Sequence, residues 1–394
     1  MSLPEIFVVS AVRTPIGTFG GSLKDTPLSQ LATTVVQAAI THSGCEAQQV
    51  GHVVMGNVIP TETKDAYVSR VAALNAGIPQ ETPAYNVNRL CGSGLQAIIN
   101  AAQILMLGDA EIAVAGGVES MSRGPYMLPG ARWGGRLGNL EAIDYMLGVL
   151  HDPIHRIHMG VTAENIAERY AISREMQDKL AVQSHQRAAT AIANGHFLNQ
   201  IVPVEISSRK GTEHFEVDEH VREGTTVEQL AKMKPAFKNE GTVTAGNASG
   251  LNDGASALVL ATGNAIQSNN LRPLARLVGY AHAGVDPQMM GLGPIPATRL
   301  ALSRAGLRVA DLDVIESNEA FAAQACAVTR ELDMDPAKVN PNGSGISLGH
   351  PIGATGAIIT TKAIHELHRI KGRYALVTMC IGGGQGIAAI FERV

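Results

Sequence analysis

The 394-residue sequence predicts an α/β protein built from two copies of one βαβαβ-type unit. Three observations support this fold class. Strand and helix patterns alternate in both halves of the chain, the same order of elements occurs twice, and each half contains a strand that ends in a run of glycines. Such alternation is typical of parallel sheets with helices on their faces.

The first copy occupies the N-terminal part of the chain. Ile6–Ser10 has the pattern of a buried strand, a helix is predicted over 28–43, and a second strand lies within 50–58. Residues 84–105 then give a strand, a glycine-rich turn and a helix. Residues 110–120 form a strand that ends in glycines.

The second copy repeats this order. Residues 274–284 predict a strand, 296–305 a helix, and 312–321 a strand that runs into a helix. Residues 339–367 again give a strand, a glycine-rich turn and a helix, and the strand in 373–386 ends in glycines. The match predicts an internal duplication.

A loop-rich region lies between the two copies. Its clearest element is a surface helix over 173–197, with Ser173 as N-cap and Gly195 as stop signal. Inserts of this length usually serve binding or assembly. The predicted division is therefore an N-terminal half of residues 1–120 with about 248–270, an inserted loop domain of 121–247, and a C-terminal half of 271–394.

The composition excludes several classes of protein. Hydrophobic residues make up 45% of the chain, which suffices for a sizeable core, and the net charge of −4 offers no basic surface for nucleic acid. No apolar run approaches the ~20 residues of a membrane helix, and the N-terminus lacks a signal-peptide pattern. We therefore expect a cytoplasmic protein that binds neither nucleic acid nor membrane.

Cys91 lies between a predicted strand and a predicted helix, and Gly92 and Gly94 follow it at once. The free N–H groups and positive dipole end of a helix N-terminus favour a thiolate, so we expect a lowered pKa for this thiol. The glycines let backbone N–H groups approach a ligand. Position alone leaves two interpretations open: a nucleophile, or the small buried hydrophobe that a free cysteine usually is.

Three strand-end loops of the second copy carry further reactive side chains. His350 lies in the turn that corresponds to the Cys91 turn, Cys380 precedes three glycines, and Asn318 follows another strand. Strand ends of this kind place ligands together. Two thiols and an imidazole suit acyl transfer through a thioester. The GGGQG after Cys380 is a weak nucleotide signal, because no helix clearly follows it.

Together these motifs resemble the thiolases. They are NRLCGSGLQA around Cys91, NEAFA from Asn318, GHPIGATGA around His350 and CIGGGQG from Cys380. The resemblance extends from residues 8–21 to the C-terminus and looks closest to bacterial β-ketothiolases of the acetyl-CoA acetyltransferase group. It implies two mixed sheets with helices between and outside them and an inserted loop domain. It also implies reversible Claisen chemistry: two acetyl-CoA give acetoacetyl-CoA plus CoA, and short 3-ketoacyl-CoA is cleaved in reverse.

The resemblance assigns roles to the strand-end residues. Cys91 would be the acylated nucleophile, His350 would activate it, and Cys380 would be the acid/base at carbon. Asn318 would hold a water that forms one oxyanion hole with His350. The N–H groups of Cys91 and Gly382 would form the other.

The resemblance also implies a coenzyme A site in the loops. Its residues would be Leu150, His158, Met159, Arg222, Ser249, Ala320 and Phe321, with Arg222 near the nucleotide end. The segment 125–142 resembles a tetramerisation loop, so we expect a homotetramer. Acyl-CoA and coenzyme A are the expected partners, and neither a metal nor a redox cofactor is expected.

Simpler interpretations remain open for three of these features. His151, His155 and His158 could be a metal cluster, although no acidic or cysteine partner stands at a fixed spacing. Arg222 could belong to a solvated face, salt-bridged to its acidic neighbours. Trp133 and the apolar residues near it could be local core.

Other functions remain as alternatives. A ketoacyl synthase or hydroxymethylglutaryl-CoA synthase shares the architecture but typically has His or Asn at the position of Cys380. A non-catalytic acyl-CoA carrier, or a redox switch that pairs Cys91 with Cys380, are further possibilities. Cys45 and Cys326 are interpreted as packing thiols.

Overall fold

The computed structural model describes residues 3–208 and 211–394. The strands are β1 (Ile6–Arg13), β2 (Gly17–Thr18), β3 (His52–Gly56), β4 (Ala84–Val87), β5 (Ile112–Ser120), β6 (Tyr126–Met127), β7 (Ile143–Asp144), β8 (Val204–Ser208), β9 (Gly211–Phe215), β10 (Asn252–Thr262), β11 (Ala275–Gly284), β12 (Val314–Ser317), β13 (Tyr374–Ile381) and β14 (Gln385–Arg393). The helices are α1 (Leu28–Ser43), α2 (Val68–Asn75), α3 (Ser93–Leu107), α4 (Tyr145–Val149), α5 (Met159–Arg169), α6 (Arg174–Ala193), α7 (Val227–Ala231), α8 (Gly263–Ser268), α9 (Pro294–Ala305), α10 (Ala322–Glu331), α11 (Gly345–Leu348) and α12 (Ile352–Ile370).

A ten-stranded sheet carries the fold, with the order β12-β13-β14-β11-β1-β10-β5-β3-β4 and β2 paired to β10. The two halves of the sheet have the same strand order when each is followed from the centre to its edge. β1, β10, β5 and β3 on one side correspond to β11, β14, β13 and β12 on the other. The predicted α/β fold with duplicated units is confirmed.

The two expected mixed sheets are the halves of this sheet. They are joined by a short antiparallel pairing of β1 with β11, in which Phe7 faces Arg276 and Val8 faces Ala275. The parallel sheets expected from strand–helix alternation are only partly present. β10 and β14 run antiparallel to both of their neighbours, because each returns the chain to the centre of its half.

The duplication extends to the register of the strands. β1 shifts its pairing with β10 between Val8 and Ser10, and β11 shifts its pairing with β14 between Leu277 and Gly279. Both shifts begin at the third residue of the strand. β3 is parallel to β4 and β5, and β12 is parallel to β13.

The strand expected at the start of 339–367 is absent. A single parallel bridge between Val339 and Ile315 takes the place that β4 has in the first half. After Val339 the chain follows an irregular loop into α11, so this segment does not form a strand paired with β12.

Helices α3 and α12 form the layer between the two halves of the sheet. The largest cluster of buried apolar side chains takes residues from both helices and from strands of both halves. The two helices come close because small residues face each other: a Cβ on Gly356 would lie 2.3 Å from the backbone nitrogen of Leu95. Helix α1 covers the outer face of the first half and α9 that of the second.

The sequence of α3 is apolar enough to be either a membrane-spanning helix or a buried core helix. Within the described part of the chain, the window Leu90–Leu107 is long and apolar enough to cross a membrane, which corrects the expectation that no run comes close. This is weak support for a span, because 61% of the window is buried inside the protein and a core helix passes the same criterion.

The inserted region contains two short hairpins and helices α4 to α7. The helix expected over 173–197 is present as α6, and the Ser173 hydroxyl accepts the N–H of Met176, as an N-cap does. The boundaries of the insert stay a prediction.

Candidate active site

The strand ends of both halves open into one cavity of about 500 Å³. Cys91 reaches it from the turn between β4 and α3, His350 from the turn before α12, and Cys380 from the end of β13. The predicted residues that line it are Cys91, Leu150, His158, Met159, Arg222, Ser249, Ala320, Phe321, His350, Cys380 and Gly382. Asn318 lies behind this surface. The structure therefore brings together residues from Cys91 to Gly382, which lie in opposite halves of the chain.

A strained turn presents Cys91. Leu90 has φ +46°, a region that non-glycine residues seldom adopt. The turn is held by Ser93, whose hydroxyl donates to the carbonyl of Leu90 at 2.6 Å and accepts the N–H of Arg89 at 2.9 Å. Strain of this kind persists where the surrounding structure fixes it, often at functional sites.

The Cys91 thiol is not a resting thiolate. Burial raises the pKa of Cys91 to about 11, and the N–H groups of Gly382 and of Cys91 itself oppose this rise without cancelling it. The expected lowering of its pKa by the helix N-terminus is therefore wrong. The physical reason is that removal of the thiolate from water costs more than those N–H groups return.

His350 is held in one tautomer. Its Nδ1 lies 2.7 Å from Thr355 Oγ1, and that hydroxyl donates its hydrogen to the carbonyl of Pro351 at 2.9 Å. Because a hydroxyl has one hydrogen, Thr355 accepts from His350, so Nδ1 carries the proton. The other ring nitrogen, Nε2, is therefore unprotonated, and its polar contact in the structure is the Asn318 amide nitrogen at 3.4 Å.

The His350 imidazole is neutral at physiological pH. Burial lowers the pKa of His350 to about 4. Its main chain is fixed from the other half of the molecule, because the His350 N–H donates to Oδ1 of Asn252 at 2.9 Å. A neutral, oriented imidazole with an unprotonated Nε2 can accept a proton.

Asn318 is fully buried beside His350 and not in the cavity wall. Its Nδ2 lies 3.4 Å from His350 Nε2. Its Oδ1 has no hydrogen-bond partner among the residues that the structure describes. Buried amide oxygens normally have one, so this group is unusual.

Cys380 is the second thiol of the cavity and is 1% exposed. Burial raises its pKa strongly, and the neighbouring Cys91 adds to the rise. Cys380 is therefore a thiol at rest. All four cysteines are free, and Cys45 is buried as interpreted from its position, while Cys326 is partly buried.

Stacked aromatic rings line the middle of the cavity. His158 lies on Phe237 with ring centroids 4.6 Å apart, and Phe237 meets Phe321 edge-on at 6.1 Å. His158 Nδ1 accepts the N–H of Gly160 as N-cap of α5. Burial, and to a lesser degree His151, lowers the pKa of His158 to about 4, so this ring is neutral.

The histidine-rich segment does not form a metal centre. In the described ranges 3–208 and 211–394, no group of three or more His, Cys, Asp or Glu side chains is arranged to hold an ion. His151 and His158 instead meet ring to ring, with centroids 5.0 Å apart.

Arg222 stands at the mouth of the cavity and is exposed. Its guanidinium makes no ion pair with any described residue, so the salt-bridged alternative is wrong. Its neighbours are engaged elsewhere: Asp218 pairs with Arg13 at 2.7 Å, and Glu219 accepts the Thr18 N–H at 2.8 Å. A free positive charge is thus available to a bound anion.

The remaining predicted wall residues are held by the backbone. The Ser249 N–H donates to the carbonyl of Ala320 at 3.0 Å, and Ala248 bridges to Phe321. Leu150 ends α4 and accepts the N–H of Met159 at 2.9 Å.

The segment 125–142 carries large apolar side chains outward. Trp133 is 85% exposed and Leu137 is 99% exposed. The alternative that these residues form local core is therefore wrong.

Sequence reasoning missed several functional neighbours. Thr355 and Asn252 fix His350, and Phe237 and Met290 line the cavity. Thr355 could have been found from its place in the first turn of the helix that follows His350. Asn252 carries no local signal, because only the fold brings β10 to this turn.

The fold and the cavity define an α/β enzyme with two thiols and an imidazole at its strand ends. Residues 6–264 match the family model of the thiolase N-terminal domain, and residues 271–393 match that of the thiolase C-terminal domain. The chain belongs to the thiolase family and is an acyltransferase.

Relatives and solved structures agree with this assignment. The chain is 63% identical over 391 residues to the β-ketothiolase BktB of Cupriavidus necator, covering 99% of each chain. It is 47% identical over 393 residues to an acetyl-CoA acetyltransferase of Pseudomonas aeruginosa, covering 99% of this chain and 100% of the other. The crystal structure of the Bacillus anthracis acetyl-CoA acetyltransferase superposes with a TM-score of 0.98 at 49% identity, covering 100% of both chains. Human mitochondrial 3-ketoacyl-CoA thiolase gives 0.97 at 46% identity, covering 99% of both.

Proposed function

We propose that the protein catalyses the reversible condensation of two acetyl-CoA to acetoacetyl-CoA and CoA, and the thiolysis of short 3-ketoacyl-CoA, through an acyl-Cys91 intermediate. The observation that carries this proposal is the shared cavity of two thiols and one neutral imidazole with an unprotonated Nε2. The names of the relatives, β-ketothiolase and acetyl-CoA acetyltransferase, support the substrate class.

The first half-reaction acylates Cys91. His350 Nε2 takes the thiol proton as Sγ attacks the thioester carbonyl of the acyl donor. The carbon–sulfur bond to coenzyme A breaks, and the departing thiolate takes the proton from the imidazolium. The high pKa of Cys91 supports transfer of this proton during attack, since little thiolate exists beforehand.

The second half-reaction forms the carbon–carbon bond. Cys380 removes a proton from the carbon next to the thioester of acetyl-CoA, and the resulting enolate attacks the acyl carbon on Cys91. The bond from that carbon to Sγ breaks, the Cys91 thiolate takes up the proton that Cys380 removed, and 3-ketoacyl-CoA leaves. Burial beside Cys91 supports a thiol at rest on Cys380, so Cys380 must lose its own proton to solvent as the substrate binds and regain one as the product leaves.

Two donor pairs would stabilise the oxygen charges. The N–H groups of Cys91 and Gly382 already point at Cys91 Sγ, which supports their role toward the acyl oxygen. A water held by Asn318 would serve the enolate oxygen, and His350 Nε2 would add a second donor only while it carries a proton, since the neutral ring has its proton on Nδ1. The unpartnered Oδ1 of Asn318 and its place beside the imidazole support this assignment.

Loops of the insert would hold coenzyme A. The stacked rings of His158 and Phe237 with Met159 give an apolar channel suited to the pantetheine arm, and the free guanidinium of Arg222 suits the nucleotide end. Leu150, Ser249, Ala320 and Phe321 would complete the wall. No metal or redox cofactor is required by these steps.

The protein would act in the cytoplasm as a homotetramer. The exposed Trp133 and Leu137 of the segment 125–142 support burial of this surface against another subunit.

The test is direct. The purified protein is mixed with acetoacetyl-CoA and free CoA, and acetyl-CoA is quantified by liquid chromatography. We expect formation of acetyl-CoA by the parent protein and none by Cys91→Ala, with Cys45→Ala as the matched control that retains activity. Absence of product with the parent protein, while acyl-CoA still binds, would overturn the proposal in favour of an acyl-CoA carrier or a different substrate.

A further inference from the structure

Glu119, near the end of β5, is a fully buried carboxylate saturated with hydrogen bonds. It accepts Asn57 Nδ2–H at 3.1 Å and the backbone N–H groups of Val58 at 3.2 Å, Ile59 at 3.0 Å and Gly353 at 2.8 Å. Every partner is a donor, so the arrangement suits the ionised form.

The donors come from both halves of the molecule. Val58 and Ile59 belong to the loop that follows β3, whereas Gly353 lies in the first turn of α12, three residues after His350. A Cβ on Gly353 would lie 2.6 Å from a Glu119 carboxylate oxygen, so this contact requires glycine. Glu119 therefore ties the start of the His350 helix to the first half.

The nucleophile packs against the same loop. Cys91 contacts the apolar cluster that contains Val58, Ile59 and Ile352. The negative charge of Glu119 acts on Cys91 in the direction of a higher pKa, after the larger effect of burial. Burial also raises the pKa of Glu119 to about 8, the backbone donors oppose the rise without cancelling it, and Asp253 adds to it, so Glu119 is charged mainly above that pH, which includes the range in which Cys91 titrates. The titratable groups that face Cys91 are thus Glu119, His350 and Cys380.

We propose that Glu119 is a positioning residue for the Cys91–His350 pair. Its carboxylate fixes the start of α12, and with it His350, against the loop 57–59. Where its carboxylate is charged, Glu119 adds to the effect of burial and favours the thiol form of Cys91. The first role rests on the proposed function, while the second is a property of the free protein.

Two variants separate the effect of the charge of Glu119 from the effect of its side-chain length. Glu119→Gln keeps the length of the side chain and removes the charge, and Glu119→Asp keeps the charge and shortens the side chain. Glu164→Gln is the matched control: Glu164 is also buried and accepts the N–H groups of Thr242 and Val243, each at 2.8 Å, but it does not face Cys91.

Two readouts are needed. One is kcat for thiolysis, together with KM for coenzyme A. The other is the pH profile of iodoacetamide alkylation of the Cys91 peptide, followed by mass spectrometry so that the other three cysteines do not interfere. Thermal denaturation of each variant shows that the folded protein is being measured.

For Glu119→Gln we expect the Cys91 alkylation profile to move to lower pH by about one unit, because a neighbouring negative charge is lost. Its kcat should fall about tenfold or more, while KM changes by less than about twofold. Glu119→Asp should lower kcat and leave the alkylation profile in place. Glu164→Gln should change neither.

An unmoved profile in Glu119→Gln overturns the role of the charge. An unchanged kcat in both Glu119 variants overturns the role in positioning. If Glu119→Gln does not fold, kcat of Glu119→Asp still tests the positioning role. Because Glu119→Asp keeps the charge, a shift of its alkylation profile to lower pH overturns the role of the charge. If the parent protein shows no thiolysis, the proposed function fails, and the alkylation profile still tests the charge.

Discussion

The two halves of the molecule use the same three positions differently. The parallel pairings of Gly56 with Gly117 and of Ser317 with Thr378 align the halves residue by residue, and α3 and α12 align through their first residues. The equivalent pairs are Asn57 and Asn318, Cys91 and His350, and Glu119 and Cys380.

Hydrogen bonding distinguishes the asparagines of the pair. Asn57 Nδ2 donates to the Val118 carbonyl at 3.1 Å and to Glu119 at 3.1 Å. Among the described residues, the Asn318 side chain has only long contacts with the His350 ring, and its Oδ1 is unpartnered. A saturated position stabilises the fold, whereas an unsaturated one can interact with a substrate or water.

The third pair shows the same contrast. Glu119 is satisfied by donors from both halves, whereas Cys380 faces the cavity as a buried thiol without such partners. The first half therefore uses its Asn and carboxylate positions for structure, whereas in the proposed reaction the second half uses the equivalent positions for chemistry. Cys91 is the one member of the first half that the proposed reaction uses.

Loss of the second thiol should have the largest effect. Cys380→Ser should lower condensation by about a thousandfold or more, because a hydroxyl is a far poorer base at carbon. The same variant should still form the acyl-enzyme, since Cys91 and His350 remain. Acyl-enzyme is measured by mass spectrometry and condensation by acetoacetyl-CoA formation; normal condensation would break the comparison.

The two asparagines give the next test. Asn318→Ala should reduce kcat about a hundredfold with a small change in stability, because its amide is hardly used for folding. Asn57→Ala should do the reverse and lower the free energy of unfolding by roughly 1–3 kcal/mol, because it deprives Glu119 of a donor. Steady-state kinetics and denaturant unfolding measure the two quantities; equal effects of both variants would contradict the division of roles.

Thr355→Val should lower the rate of Cys91 acylation by roughly tenfold, because the imidazole is no longer held with its proton on Nδ1. Thr355→Ser should restore the rate.

The pH profile of acylation gives a further test of His350. Since burial lowers the pKa of His350 to about 4, the imidazole is a base above that pH and charged below it. The acid limb of acylation should therefore lie near pH 4 in the parent protein, and a limb near pH 6.5 would contradict the buried neutral base.

The exposed segment should show the smallest effect on the subunit. Trp133→Ala should change the free energy of unfolding of the isolated subunit by less than about 0.5 kcal/mol, because the ring is 85% exposed. If the segment 125–142 joins subunits, the same variant should lower the molar mass measured by light scattering. An unchanged tetramer would remove this segment from the interface.

Local patterns predicted most of the elements. α1 has the predicted bounds, and the alternation of strands and helices gave the duplication. β10 and β14 were not predicted as strands, because small residues such as Gly and Ala weaken their apolar pattern. The direction of a strand is a property of its pairing, which periodicity does not contain.

The motifs anticipated much of the cavity wall but not its electrostatics, and the roles of the wall residues stay a prediction. The wall residues line one cavity as the motifs indicated. The pKa of Cys91 was predicted in the wrong direction, because a helix N-terminus is visible in sequence and burial is not.

The sequence alone determined the family, the duplicated α/β architecture and the reactive residue types, since these depend on local patterns and motifs. Tertiary structure decided the surroundings of each residue. It brought Asn252 from β10 to the backbone of His350, it left Asn318 Oδ1 unpartnered while it paired the Asn57 amide, and it buried Cys380 fully and Cys91 partly. Hydrogen-bond partners and desolvation come from segments distant in sequence, so only the packed fold fixes the tautomer and the protonation state of the site.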